Sequence, residues 1–188
     1  KDNIQIVESL NIKTLKESKR KNKACRFAYR SSFFKIKNGE EIILTATFKL
    51  KKGNSILIRS SIEEKINYRK LKQPLEYPNV GSIFKNVNLK NAPPSVVALA
   101  KSKSKIKTDP FPVIPTAFLI AECGLKGVKR GGAIISEKHP NFIVNLGGAK
   151  ARDVLTLMKL IKSAIKKKFH ILLEEEVQIV RWNSITAF

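Results

Sequence analysis

Three segments of this chain carry residue types that could do chemistry. The first, 27–35, reads Phe27-Ala28-Tyr29-Arg30-Ser31-Ser32-Phe33-Phe34-Lys35 and sets a guanidinium beside a phenol. The second, 73–86, places Gly81-Ser82 in a proline loop, with Lys85 and Asn86 just beyond. The third, 173–177, runs Glu174, Glu175 and Glu176 into Val177. A guanidinium can hold a carboxylate through two parallel hydrogen bonds, and a positioned hydroxyl or carboxyl can move a proton. Each segment alone also has a plain structural reading. A Tyr-Arg pair usually decorates a surface, and a Gly-Ser in a proline loop is usually a turn. A glutamate run is usually a solvated edge, with Glu174 and Glu176 on one face at strand periodicity. No Ser-His-Asp set is identifiable. His139 precedes a proline in a turn, His170 ends a helix, and two isolated histidines make no metal site. Cys25 and Cys123 match no CxxC or disulfide-framework spacing, and two thiols suit a reducing cytoplasm.

Composition bounds what these segments could serve. The chain has 188 residues, of which 43% are hydrophobic, enough for an ordinary packed core. No apolar run approaches the ~20 residues needed to cross a bilayer. The first twenty residues carry Lys1, Lys13, Lys16, Lys19 and Arg20 but no apolar signal region. With 37 Lys and Arg against 15 Asp and Glu, the net charge is +22. Lysines that neutralise phosphates release counterions, so nucleic acid is one reading. A lysine-biased surface is a second, and an anionic nucleotide substrate or cofactor is a third. No ribonucleoprotein signature, C2H2 pattern or GxxG between helices accompanies the charge, so no specific nucleic acid is expected. A basic, non-catalytic binding module stands as the alternative function.

The elements that must position the three segments are an α+β set. Residues 3–15 read as two short strands around Glu8 and Ser9, and 16–23 as a solvated basic connector. A strand is expected over 41–50, where β-branched residues nearly alternate, and an amphipathic helix over 55–71, with Ile58, Ile62, Ile66 and Leu71 on one face. Pro74, Pro78 and Gly81 then break the chain. Residues 86–115 read as loop apart from a short helix over 94–103. A helix over 116–123 closes on Gly124, and strands follow at 133–136 and 142–145. The clearest helix is 151–169, whose Val154, Leu157, Met158, Ile161, Ile165 and Phe169 share a face. A last strand over 176–181 is expected to join 133–136 and 142–145 in one sheet, covered by the helices at 116–123 and 151–169.

Taken together and in order, the segments resemble the UDP-N-acetylenolpyruvoylglucosamine reductase family (MurB). The family pattern C-x-F-x-Y-R-x-S-x-F-K is met by Cys25, Phe27, Tyr29, Arg30, Ser32, Phe34 and Lys35. Its Q-P-L-x-x-P-x-x-G-S-x-F-K-N-P is met from Gln73 to Asn86, with Val87 in place of the last proline. Residues 119–127 and 131–145 follow its L-I-E-x-x-G-L-K-G and G-G-A-x-x-S-x-K-H-x-N-F-I-V-N stretches. Leu173-Glu174-Glu175-Glu176-Val177 follows its L-E-P-E-V, with Glu175 in place of proline. The resemblance implies the tail of a FAD-binding domain of the PCMH/vanillyl-alcohol-oxidase-like type over 1–85, followed by an α+β substrate-binding domain over 86–188. It implies a cytoplasmic oxidoreductase that uses FAD and NADPH to reduce UDP-N-acetylglucosamine enolpyruvate to UDP-N-acetylmuramate in peptidoglycan synthesis. It assigns catalysis to Ser82 as proton donor, Arg30 on the substrate carboxylate, and a protonated Glu176 on the developing enolate. It gives substrate contacts to Tyr29, Asn86 and Lys85, and a cofactor contact to Gly81. Family members also carry a glycine-rich FAD-binding stretch. The chain opens at Lys1 in strand-like text, and its nearest glycine pairs, Gly131-Gly132 and Gly147-Gly148, fall in the substrate domain by position. The chain is therefore expected to be a portion of a longer reductase. Loop 87–115 is longer than in the simplest members, and Lys150 stands where a small polar cap usually precedes the last helix.

Overall fold

A computed structural model describes residues 1–37, 39–109 and 111–180. The chain divides into two compact units, Lys1–Ser61 and Ile62–Phe188. The family fold expected from the sequence is α+β, and both units mix strands with helices.

The first unit is a three-stranded antiparallel sheet in the order β2-β1-β3, with β1 at Ile4–Asn11, β2 at Glu17–Lys21 and β3 at Glu41–Phe48. A four-residue helix, α1 (Phe33–Ile36), is N-capped by Ser32, whose Oγ accepts the Lys35 N–H at 3.3 Å. Two expectations fail here. Residues 3–15 hold one strand, and the break read around Glu8 and Ser9 is a register shift between those residues against β3. Residues 16–23 are not a solvated connector, because β2 occupies Glu17–Lys21 and a 3-10 turn follows at Asn22–Cys25. The reason is charge pairing across the sheet. The Arg20 guanidinium donates to both carboxylate oxygens of Glu41 at 2.6 and 2.7 Å, so a run that looked too basic to fold pairs its key cation and leaves it only partly exposed. β3 itself is exposed along nearly its whole length, including Ile42, Ile43, Leu44 and Phe48.

The division between units falls within α2 (Ser55–Lys72), a helix in the expected place. Its apolar face is not buried: Ile58, Ile62, Ile66 and Leu71 are all exposed.

In the second unit a two-stranded ladder joins β4 (Val87–Asn88) to β5 (Val113–Ile114), with α3 (Pro94–Ser102) between them in sequence. Residues 86–115 are thus more ordered than a loop with one helix. After α4 (Thr116–Glu122) comes a second antiparallel sheet, β6-β7-β8, from Lys129–Arg130, Ala133–Ile135 and Ile143–Asn145. α5 (Ala151–Phe169) lays Leu157, Met158, Ile161, Ile165 and Phe169 into the core. There they join Leu119 and Ile120 of α4, Ile135 of β7, and Ile83 and Phe84. At the helix start the Lys150 N–H donates to the Asp153 carboxylate at 2.9 Å, one half of a capping box, while the lysine side chain caps no N–H of the first turn. The helix closes on His170, at φ 55°, within a turn of Lys166–Lys168.

The last expected strand, 176–181, is not one. A single bridge pairs Glu175 with Phe84, Gln178 to Val180 are exposed and without ladder partners among the described residues, and Arg181 lies outside those residues. Ile83 O takes both the Glu176 N–H (2.8 Å) and, at the long end of the range, the Val177 N–H (3.4 Å), so the ladder ends as it begins. The segment pairs with 83–85 and not with β7 or β8. The same packing places 83–85, assigned on sequence to the first domain, inside the second unit, where Ile83 and Phe84 are fully buried.

Candidate active site

Gly81-Ser82 owes its conformation to its neighbours. Asn79 accepts the Gly81 N–H on its side-chain oxygen at 2.9 Å, and its side-chain NH2 donates to Pro74 O and Tyr77 O. Gly81 then turns at φ +81°, a backbone that a side chain disfavours, and nothing lies within 4 Å of where its Cβ would be. Pro78 O receives the Asn145 N–H of β8 at 2.9 Å, which ties the loop to the sheet.

Beyond Ser82 the chain is held on both sides. Asn141, 2% exposed, reads Phe84 as a strand would: Phe84 N–H donates to its Oδ1 at 3.1 Å, and its Nδ2 donates to Phe84 O at 2.8 Å. The Asn141 backbone carbonyl takes the Ile83 N–H at 2.8 Å. On the other side Lys85 N–H donates to Glu174 O at 2.9 Å, and Glu176 N–H donates to Ile83 O at 2.8 Å. Ser82 and Glu176, 94 positions apart, thus sit on adjacent hydrogen-bonded segments, each half-buried. An apolar hollow of about 470 Å³ is lined by their chain neighbours Val80, Ile83 and Val177 and by Val154, Leu155 and Met158 of α5, but not by Ser82 or Glu176 themselves.

Lys85 pairs with Glu174 through Nζ and Oε2 at 2.8 Å, an exposed ion pair of small energetic worth. The Asn86 side-chain oxygen accepts the Thr116 N–H at 3.2 Å, while Thr116 Oγ1 donates to Lys85 O at 2.6 Å. Together these anchor the end of the loop to the start of α4. In the first unit Tyr29 and Arg30 form the tip of a turn closed by two backbone bonds between Ala28 and Ser31. The Arg30 guanidinium lies 5.7 Å from the Tyr29 ring centre.

The structure therefore gathers Gly81, Ser82, Lys85, Asn86 and Glu176 within the second unit and leaves Tyr29 and Arg30 in the first. Sequence reasoning gave no role to Asn141. Its signal was its place in the Lys138-His139-Pro140-Asn141-Phe142 stretch, where a buried amide must find backbone to bond.

The glycine pairs do not form a cradle for a flavin diphosphate. A Cβ on Gly132 would collide with Gly147 O and Ala149 N, so the two pairs are packed on each other. Three nearby N–H groups are also engaged within the protein. Leu146 N–H donates to Gly132 O, and Gly147 and Ala149 N–H donate to Asn145 Oδ1. Among the described residues no three His, Cys, Asp or Glu side chains gather as a metal site, and no helix is long and apolar enough to cross a membrane.

A small antiparallel sheet under a long amphipathic helix, with a Gly-Ser loop laced to an acidic segment, defines an α+β domain. Residues 73–180 match the family of the UDP-N-acetylenolpyruvoylglucosamine reductase C-terminal domain. The chain is 42% identical over 153 residues to the UDP-N-acetylenolpyruvoylglucosamine reductase of Fervidobacterium nodosum, an alignment covering 81% of this chain and 42% of that protein. To the enzyme of the same name from Enterococcus faecalis it is 41% identical over 154 residues, covering 82% of this chain and 43% of the other. The crystal structure of the Thermus caldophilus reductase superposes with a TM-score of 0.69 at 28% identity, covering 96% of this chain and 54% of that one. This chain belongs to the UDP-N-acetylenolpyruvoylglucosamine reductase family. It spans less than half the length of these two curated relatives.

Proposed function

We propose that this chain is the substrate-handling portion of a UDP-N-acetylenolpyruvoylglucosamine reductase, a cytoplasmic oxidoreductase of peptidoglycan precursor synthesis. The first unit would be the C-terminal part of its FAD-binding domain, and the second its substrate-binding domain. The observation that carries the reading is the backbone bond from Glu176 to Ile83, the residue after Ser82, inside the region that matches the family. Nothing in the site calls for the alternative, a basic binding module, which has no need of Ser82 and Glu176 on neighbouring segments.

FAD and NADPH would supply the reducing equivalents in the complete reductase. This chain's residues act at the carboxylate end of the enol ether. Reduction at the β-carbon builds negative charge on the α-carbon and its carboxylate. Arg30 would hold that carboxylate through a charge-assisted, bidentate contact that strengthens as the charge grows. The Ser82 hydroxyl would deliver the proton to the α-carbon. Glu176, on the neighbouring segment, would polarise the developing enolate. Tyr29, Lys85 and Asn86 would line the UDP-sugar, the last while tethering the loop to α4. Gly81, whose N–H is already taken by Asn79, could meet a cofactor through its carbonyl or its bare α-carbon.

The test is turnover of UDP-N-acetylglucosamine enolpyruvate by the complete reductase, with and without Ser82→Ala. Substrate-dependent NADPH consumption should fall by roughly 10²–10⁴, the usual worth of a positioned general acid. A variant that turns over near the parent rate would contradict the assignment.

A further inference from the structure

The turn that carries Arg30 is strained and then held from behind. Ala28 and Ser31 exchange backbone hydrogen bonds at 3.0 and 3.3 Å, leaving Tyr29 and Arg30 as the two-residue tip. Arg30 sits at φ 52°, in the left-handed region that a residue with a Cβ avoids. Such a backbone persists only where the surroundings fix it. The chain leaves the turn through Ser32, the cap of α1, straight into Phe33 and Phe34, whose rings meet edge to face at 5.6 Å. Both rings lie against one guanidinium: Arg20 Cζ is 4.4 Å from the centre of Phe33 and 5.8 Å from that of Phe34.

That guanidinium is itself locked by all three strands of the unit. From β2, Arg20 Nη1 donates to Ser9 Oγ of β1 at 2.8 Å and to Glu41 Oε2 of β3 at 2.6 Å, and Nη2 donates to Glu41 Oε1 at 2.7 Å. Ser9, fully buried, donates its own hydroxyl to Glu41 Oε2 at 2.6 Å. The Arg20 and Glu41 side chains are only 19% and 7% exposed. A surface ion pair would be interchangeable with Lys-Glu, but this one uses the fork for the carboxylate and the flat face for the rings, which an ammonium cannot do.

We propose that Arg20 is a positioning residue: through Phe33 and the Ser32-capped helix it fixes the strained turn that aims Arg30 at the substrate carboxylate. The proposal rests on the reading of Arg30 given above. The experiment is calorimetric titration of the complete reductase, not undergoing turnover, with UDP-N-acetylglucosamine enolpyruvate. The variants are Arg20→Lys, Phe33→Leu and Arg30→Ala, together with the doubles Arg20→Lys/Arg30→Ala and Phe33→Leu/Arg30→Ala. Arg30→Ala should weaken binding by about tenfold or more, as loss of a charge-assisted contact does. Arg20→Lys and Phe33→Leu should each weaken it by about 3–10-fold, and neither should weaken it further when Arg30 is already alanine. Equal weakening in both backgrounds would show a general structural role and overturn the proposal. So would unchanged affinity in folded Arg20→Lys. If Arg20→Lys does not fold, Phe33→Leu decides by the same comparison. An Arg30→Ala protein that binds as well as the parent would overturn the reading of Arg30, and the positioning role with it.

Discussion

The two units of this chain are stabilised by different physics. In the second, Leu119, Ile120, Ile135, Leu157, Ile161 and Ile165 are wholly buried in one contiguous core shared by two helices, a sheet and the 83–84 segment. In the first, the buried apolar side chains are Val7 and Cys25, and the centre is polar: Ser9, Arg20 and Glu41. Its third strand exposes Ile42, Ile43, Leu44 and Phe48. A polar network satisfied on every side specifies one arrangement but adds little net stability, whereas apolar burial supplies the driving force. The second unit has what it needs to fold. The first has the means to fix a geometry once something else stabilises it.

The largest expected effect separates the units outright. Residues 62–180 expressed alone should melt cooperatively by circular dichroism, while residues 1–61 alone should show no cooperative transition. A sharp transition in the short piece would erase the contrast. Within the intact chain, Leu157→Ala should cost about 2–5 kcal/mol, the range for emptying a packed core site. Ile43→Ala on β3 should stay within about 0.5 kcal/mol, as for exposed positions. Denaturant titrations giving equal losses would show that β3 is buried in solution.

How much of this was legible in the sequence follows the same divide. Helix α5 was readable to the residue, because its buried positions recur at helical spacing and nothing else competes. α4 and the β7-β8 pair were readable within a residue or so. β2 was not, because Arg20 looks solvated until Glu41, 21 positions on, is known to receive it. The 176–181 segment misled for the opposite reason. Its alternation is real, but a strand needs a continuing neighbour, and after Glu176 and Val177 bond Ile83 O no ladder partner follows among the described residues. Of the candidate site, the motifs marked Gly81, Ser82, Lys85, Asn86 and Glu176 individually. That the residue after Ser82 bonds the backbone of Glu176 came only with the fold, as did Asn141, whose role is to bond a main chain 57 positions away.

Asn141→Ala should therefore sharpen the contrast from inside the second unit. It orphans the Phe84 N–H and carbonyl in a buried place, at about 1–3 kcal/mol for each group, and should loosen the Ser82 segment selectively. Hydrogen exchange is the readout, with Ile83 to Lys85 amides expected to lose protection before those of α5. Uniform loss across the unit would mean that Asn141 serves the core as a whole.

A smaller effect is expected with pH. Burial depresses the His139 pKa below its ordinary value of 6.5, with the Lys107 charge adding to the shift, and its Nδ1 has no hydrogen-bond partner among the described residues. The folded state thus binds the proton less readily than the unfolded state. The contribution of a neutral His139 is fully present above pH 6.5 and is lost as pH falls through and below that value. Melting temperature of residues 62–180 should drop on acidification below that point, and His139→Gln should flatten the drop. An unchanged slope would place the acid sensitivity elsewhere.

The most direct test of the account separates the two halves of the reaction in the complete reductase by stopped-flow. With Ser82→Ala, the half-reaction with NADPH should run at nearly the parent rate, because no proton is delivered to the substrate in it. The half-reaction with UDP-N-acetylglucosamine enolpyruvate should slow by roughly 10²–10⁴. Equal slowing of both halves would show that Ser82 holds the loop and donates nothing.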